Sequence, residues 1–306
     1  MDHQQFLEQL PADTRKSLQQ KNNSSGLLHL TAHCGMLALF AFLIALKVPG
    51  WALLLLPYGI GLVFLFNLQH ECTHKTPFKH SALNEVIGFA CGAVLVQPFL
   101  WFRYFHLDHH RYTNDPERDP EIKGHSKPDN WGSYLLFVST LPYWKSKITL
   151  LWQQCFYHID DCYVPEKARR AIKTEARLLA LLYLAIALYT LFISPIFLWL
   201  WLVPIALGFP FLKLYHLAEH GLCPHIDNKF LNTRTVITNT FGRIMTWNMP
   251  YHAEHHLLPS VPFHQLPRLH EQLNQHLGFT SQGYRAFSKE YLSFVSGKRS
   301  GNSIAN

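Results

Sequence analysis

Charged side chains are scarce in this chain. Asp, Glu, Lys and Arg make up only 15% of its 306 residues, where a soluble domain carries about a quarter. Cysteine chemistry is thin as well. Six cysteines stand at 34, 72, 91, 155, 162 and 223, none of them in a CxxC pair, so idle reduced thiols are expected and a disulfide framework is not. No polar domain gathers the basic residues into the patch that a nucleic acid would need, so no nucleic-acid partner is expected. Residues 1–26 are polar and carry no apolar core of the kind a secretory leader has. The stretch 295–306 is small, polar and basic, a composition expected to be disordered. No long-period internal repeat is visible.

What the chain has in quantity is apolar and aromatic. Hydrophobic residues reach 48%, with eight Trp and 22 Phe. Leu27 to Val48 is an apolar run of 22 residues, which as a helix spans about 33 Å and crosses a bilayer. Pro49-Gly50 breaks it, and a second run, about 51–69, returns. From Ala176 to Leu212 the chain is apolar for 37 residues, interrupted at Ser194-Pro195. That length suits two crossings, about 176–193 and 196–212, with Pro204 and Pro210 kinking the second.

The run at 83–102 is apolar enough to cross but holds Asn84, Glu85, Gln97 and Pro98. It is read as an interfacial or re-entrant helix, because a crossing there would put the histidines before and after it on opposite faces. Basic residues support this layout. Of 27 Lys and Arg, three lie in the N-terminal segment, eleven between Arg103 and Lys173 and nine after Leu212, while only Lys47 falls near an outer turn. The positive-inside rule then puts both termini and the long polar segments in the cytoplasm. The expectation is an all-α integral membrane protein. Four transmembrane helices form two hairpins, with an interfacial helix and a cytosolic helical metal-binding cap, over a domain of residues 27–294.

Histidine is the outlier, with 20 copies. Four clusters stand out: His70-Glu-Cys-Thr-His74, His106-Leu-Asp-His109-His110, His216-Leu-Ala-Glu-His220 and His252-Ala-Glu-His255-His256. Each contains an i, i+4 pair, and two add i+3, so each can present its imidazoles on one helix face. Such imidazoles can converge on a metal with bonds of about 2 Å. In the four-crossing layout all the clusters face one compartment. Ten imidazoles exceed what one ion holds, so two ions are the economical reading. Glu71, Asp108, Glu219 and Glu254 lie inside the clusters, and Asp115 and Asp119 follow the second; they are candidate partners for the outer ring N–H of bound histidines. For any one of these acids a solvated surface charge is an equal alternative. His29 and His33 read as packing residues. His3, His125, His158, His225 and His276 read as surface, and His80 and His264 as out of pattern.

The clusters at 70–74, 106–110 and 252–256 resemble the three histidine boxes of integral-membrane fatty acid desaturases and related hydroxylases. That resemblance implies two non-haem irons held by His70, His74, His106, His109, His110, His252, His255 and His256. His220 is implied as a ninth ligand from the helix before it, and His216 is a further candidate. It also implies an O2-dependent oxidation of an unactivated methylene in a lipid or acyl chain. Electrons would come from outside the chain, from a ferredoxin, cytochrome or reductase, because no His-Pro-Gly-Gly signature of a fused cytochrome b5 is seen. The last box is approached through Asn248-Met-Pro-Tyr-His252, longer than the Asn-Tyr-His of many desaturases, which leaves substrate class and bond position open.

Rivals share this site: a carotenoid ketolase or hydroxylase, an alkane hydroxylase, or an enzyme forming terminal alkenes or alkynes. A membrane zinc protease is suggested by the literal HExxH at 70–74, with Glu71 as general base, but it would leave eight clustered histidines idle. A metal transporter would place its histidines inside the crossings. Phe99, Trp101, Phe102 and Tyr104 are candidate walls of a substrate tunnel, with interface anchoring the favoured alternative.

Overall fold

The structure is a computed structural model that describes residues 2–123 and 127–298. His125 and the end of the tail, 299–306, lie outside the described residues. Two short helices, α1 (His3–Gln9) and α2 (Ala12–Leu18), open the chain. Next come α3 (Asn23–Ala45), α4 (Trp51–Val63), α5 (Leu65–His74) and α6 (Ser81–Leu95). The middle of the chain forms α7 (Phe99–Tyr112), α8 (Trp131–Val138), α9 (Leu141–Phe156), α10 (Glu166–Phe192) and α11 (Val203–His220). The C-terminal part holds α12 (Thr240–Met245), α13 (His252–Leu257), α14 (Leu266–Leu273) and α15 (Tyr284–Val295). Strands β1 (Thr235–Ile237) and β2 (Thr280–Gln282) pair in parallel, Thr235 against Thr280. They tie the segment after α11 to the end of the chain.

Four helical stretches are long and apolar enough to cross a membrane: Ala12–Ala45, Trp51–His74, Glu166–Phe192 and Leu198–His220. Their outer faces stay apolar and uncovered. Leu181, Leu184, Leu191 and Phe192 on α10, and Leu28, Leu39 and Phe42 on α3, are all exposed. A water-soluble molecule does not tolerate that much contiguous apolar surface, whereas lipid solvates it. Each span runs further than the hydropathy read. The second and fourth continue to His74 and His220, because the helix carries the polar histidine box as its last turns. The N-terminal segment is folded rather than merely polar: Leu18 is buried, and the Phe6 ring meets Phe230 at 5.7 Å.

Helices α4 and α11 cross at two glycines. A methyl group on Gly59 would lie 2.0 Å from the Pro204 carbonyl oxygen, and one on Gly208 would lie 2.3 Å from the Gly59 oxygen. Only hydrogen fits between these backbones, as at other close helix crossings in membranes. This contact brings the ends of α5 and α11, with their histidines, to the same level.

The run at 83–102 is not one helix. Helices α6 and α7 bend by 97° at the break between them. Val96 takes a left-handed conformation there (φ 55°), and Pro98 restricts Gln97 before it. The second half is the histidine helix itself. Its free first-turn N–H groups, at Phe99 and Leu100, donate to the Glu175 carboxylate of α10, so an acid within a spanning helix caps the bend. Gln69 Nε2 donates to the Gln97 carbonyl at 2.9 Å, which fixes the bend to α5.

Candidate metal centre

Four helices deliver the imidazoles. His70 and His74 end α5, His106, His109 and His110 occupy the last two turns of α7, His220 ends α11, and His252, His255 and His256 fill the short α13. The structure brings all nine together in two adjoining groups. In the first, ring nitrogens of His70, His74, His106, His110 and His255 all lie within 4.8 Å of one another. Within it Nε2 faces Nε2, at 2.7 Å for His70–His255, 2.9 Å for His74–His106 and 2.9 Å for His106–His110. The second group is His109, His220 and His256, again within 4.8 Å. His252 joins it, with its Nε2 3.2 Å from that of His220 and 3.1 Å from that of His256. The rings of His110 and His256 stack at 4.1 Å, which sets the groups side by side.

The outer nitrogens explain which way these rings point. Asp119 takes the His109 Nδ1 proton with both oxygens at 2.9 Å, and Glu121 lies 3.1 Å from the same nitrogen. His220 Nδ1 donates to the Asn232 carbonyl at 3.1 Å. His252 Nδ1 lies 3.4 Å from Glu219, and His255 Nδ1 lies 3.5 Å from Glu71. Thr113 serves His256. Its hydroxyl proton goes to the His109 carbonyl at 2.9 Å, and Lys229 Nζ donates to the oxygen at 2.8 Å. The contact with His256 Nδ1 at 3.1 Å then has the imidazole as donor. A ring protonated at Nδ1 presents a lone pair at Nε2. Burial, then neighbouring imidazoles, push His252, His255 and His256 well below the usual imidazole range. They are therefore neutral near pH 7, the form that ligates metal.

Lone pairs facing one another across about 3 Å repel unless a cation lies between them. The donor set therefore fits two metal ions, one among five imidazoles and one among four. Imidazole suits iron, zinc, copper and nickel alike.

Four of the remaining expectations turn out differently. His216 belongs to neither group; its ring packs on Phe66 at 4.3 Å, and its buried Nε2 has no hydrogen-bond partner among the described residues. Asp115 turns away to cap its own loop, accepting from Glu117 N at 2.9 Å and pairing with Arg118 at 2.6 Å. Glu254 holds His270 and Thr235, each at 2.5 Å, rather than a clustered histidine. Asp108 makes no hydrogen bond or ion pair among the described residues. Glu71 accepts through Oε2 from Thr76 Oγ1 at 2.8 Å and from Phe263 N at 3.0 Å, while its Oε1 faces His255 Nδ1 at 3.5 Å, the place of an outer partner to a clustered ring. His3 is buried, and His29 and His33 bracket Trp247. Phe99, Trp101 and Phe102 are buried rather than set at a lipid surface, and Tyr104 is half-buried.

Thr113, Asn232 and Lys229 were missed from sequence. Only Thr113, one turn after His109 and His110, carried a local signal.

Spans, bend and polyhistidine site define a membrane protein whose clustered histidines could hold metal. The fatty acid desaturase family model matches residues 48–288, and the chain belongs to that family. It is 29% identical over 65% of its length to the dihydrorhizobitoxine desaturase of Bradyrhizobium elkanii, covering 60% of that protein. It is 25% identical over 79% of its length to the chloroplastic omega-6 fatty acid desaturase of Spinacia oleracea, covering 57% of it. Identity to the sn-1 oleoyl-lipid 12-desaturase of a Picosynechococcus strain is 24%, over 89% of this chain and 82% of that one. The chain thus spans somewhat over half the length of the first two of these relatives.

Proposed function

We propose that this chain is a di-iron membrane oxidase that inserts a carbon–carbon double bond into an acyl-like chain. The observation that carries the reading is the convergence of nine imidazoles into two adjoining groups with their lone pairs inward. His70, His74, His106, His110 and His255 would hold one iron, and His109, His220, His252 and His256 the other. When bound, the reduced iron pair supplies the power to activate O2 against an unactivated C–H bond. The balanced reaction takes two hydrogens from adjacent methylenes, two electrons and two protons from an external donor, and one O2, and returns an alkene and two waters. The donor would be a ferredoxin, cytochrome or reductase.

The chain's own residues orient and protect. Asp119, Glu219, Glu71, Thr113 and the Asn232 carbonyl aim the rings, and burial of seven of the nine histidines limits access of bulk water to the site. Desaturation is favoured over hydroxylation or ketone formation because the relatives' names share that reaction while differing in substrate. The working unit is residues 27–294, with both termini and the metal centre on the cytoplasmic side. The distribution of Lys and Arg supports that orientation.

The test is expression in a host lacking the activity, with acyl-lipid, carotenoid and hydrocarbon profiles compared between the wild type and His255→Ala. A new double bond that appears only with the wild type supports the proposal. Unchanged chains beside oxidised carotenoids or released hydrocarbons overturn it.

A further inference from the structure

Two lysines inside the helical bundle have no carboxylate paired with them among the described residues. Lys213 lies on α11, two turns before His220, about 10 Å along the axis. Its Nζ lies 4.1 Å from the centre of the Phe137 ring and 5.8 Å from that of Tyr143. Lys147, on α9, approaches the same Tyr143 ring at 5.2 Å and Trp101 at 5.6 Å. Trp101 is five residues before His106 on the histidine helix α7. Neither lysine forms an ion pair or hydrogen bond with any described residue. The acid whose charge reaches both is Glu121, and its carboxylate is turned to His109 at 3.1 Å.

A lysine at a membrane boundary ordinarily snorkels, laying its stem on apolar surface and its ammonium in water. These two do the opposite: they are half-buried, and their ammonium groups face aromatic rings. Contact with ring faces offsets part of the lost hydration, but two like charges around one ring still repel. Burial, and next the Lys213 charge, push the Lys147 amine down to about 7. The arrangement is costly as it stands and is relieved by an anion between the two amines.

We infer that Lys147 and Lys213 receive the carboxylate head of the substrate, with Trp101, Phe137 and Tyr143 walling the carbons next to it. The inference rests on the desaturase reading and narrows it to a free carboxylate whose reacting methylenes lie a short chain length from the acid. A chain whose acid is esterified and carries no other anion would leave the charge of the two amines unmet.

The test is equilibrium binding of radiolabelled hexadecanoate and of its methyl ester to the iron-loaded, detergent-purified protein, so that no turnover is required. Hexadecanoate should bind at least about ten-fold more tightly than the ester. Lys147→Met and Lys213→Met should each weaken the acid by about ten-fold and leave the ester unchanged, while Lys147→Arg and Lys213→Arg restore it. Iron content should be the same in all variants. Equal binding of acid and ester, or Met variants indistinguishable from the wild type, would overturn the inference. Hexadecyl phosphate binding about ten-fold more tightly than the carboxylate, with the same lysine dependence, would also overturn it and assign the lysine pair to a phosphate head group. Failure of the desaturase reading shows separately, as a protein that binds the acid but forms no double bond.

Discussion

Replacing Asp119 by Asn should loosen one iron without touching any ligand. Asp119 is 1% exposed and accepts four contacts: His109 Nδ1 on both oxygens at 2.9 Å, Asn114 N at 2.7 Å and Glu121 N at 2.9 Å. An amide of the same shape has one accepting oxygen and turns an N–H₂ toward at least one of these donors. If it faces His109, the Nδ1 proton loses its acceptor and the tautomer that aims Nε2 inward is no longer favoured. If it faces the loop, a buried backbone N–H goes unmet, which costs about 1–3 kcal/mol of stability. Loss of an outer partner of a ligating histidine typically lowers metal affinity about 10–100-fold, or about 1.4–2.7 kcal/mol. The assay is retained iron against rising chelator, with Asp115→Asn as the control, since Asp115 only caps its own turn. Asp119→Asn should release one iron at about 10–100-fold less chelator, and Asp115→Asn should match the wild type. Retention of both irons at the wild-type midpoint by Asp119→Asn would refute the reasoning.

His255→Ala should abolish turnover and reduce bound iron while membrane insertion, read by carbonate extraction, stays intact. Wild-type activity would remove His255 from the ligands. Gly59→Ala should prevent folding or sharply lower the thermal midpoint, because its new methyl would meet the Pro204 carbonyl at 2.0 Å, whereas Gly35→Ala has nothing within 4 Å and should be neutral. Glu175→Ala should cost about 1–3 kcal/mol by leaving the N–H groups that start α7 unmet, seen as a lower unfolding midpoint. Glu175→Gln, which keeps an acceptor, should recover part of it.

Much of this was legible in the sequence, for a physical reason. Histidines at i, i+3 and i+4 on one helix declare themselves in one dimension, so the clustered boxes could be read directly, and His220 followed from the resemblance. Hydropathy located the spans but stopped the second and fourth short of their histidines, because a polar side chain facing a buried cluster scores like one facing water. The bend at Gln97-Pro98 had its signal in the proline. What caps the bend was hidden, because Glu175 lies on another helix. The acids divided by a matter of one loop. Asp119 reaches His109 while Asp115, four residues earlier, folds onto Arg118, and spacing alone cannot separate them. Asn232 and Lys229 come from a segment with no periodicity, and only the folded chain lays them against α7 and α11. The lysine pair was equally hidden, since Lys147 and Lys213 are far apart in sequence and meet only across the Tyr143 ring.

The most direct test of the central claim is metal analysis of the purified chain, paired with the same measurement on the His106→Ala and His252→Ala variants. The account predicts two irons per chain in the wild type, with one member of the pair weakened in each variant, since His106 belongs to the five-imidazole group and His252 to the other. A single tightly held zinc per chain, or metal that exchanges freely and is indifferent to both substitutions, would contradict it.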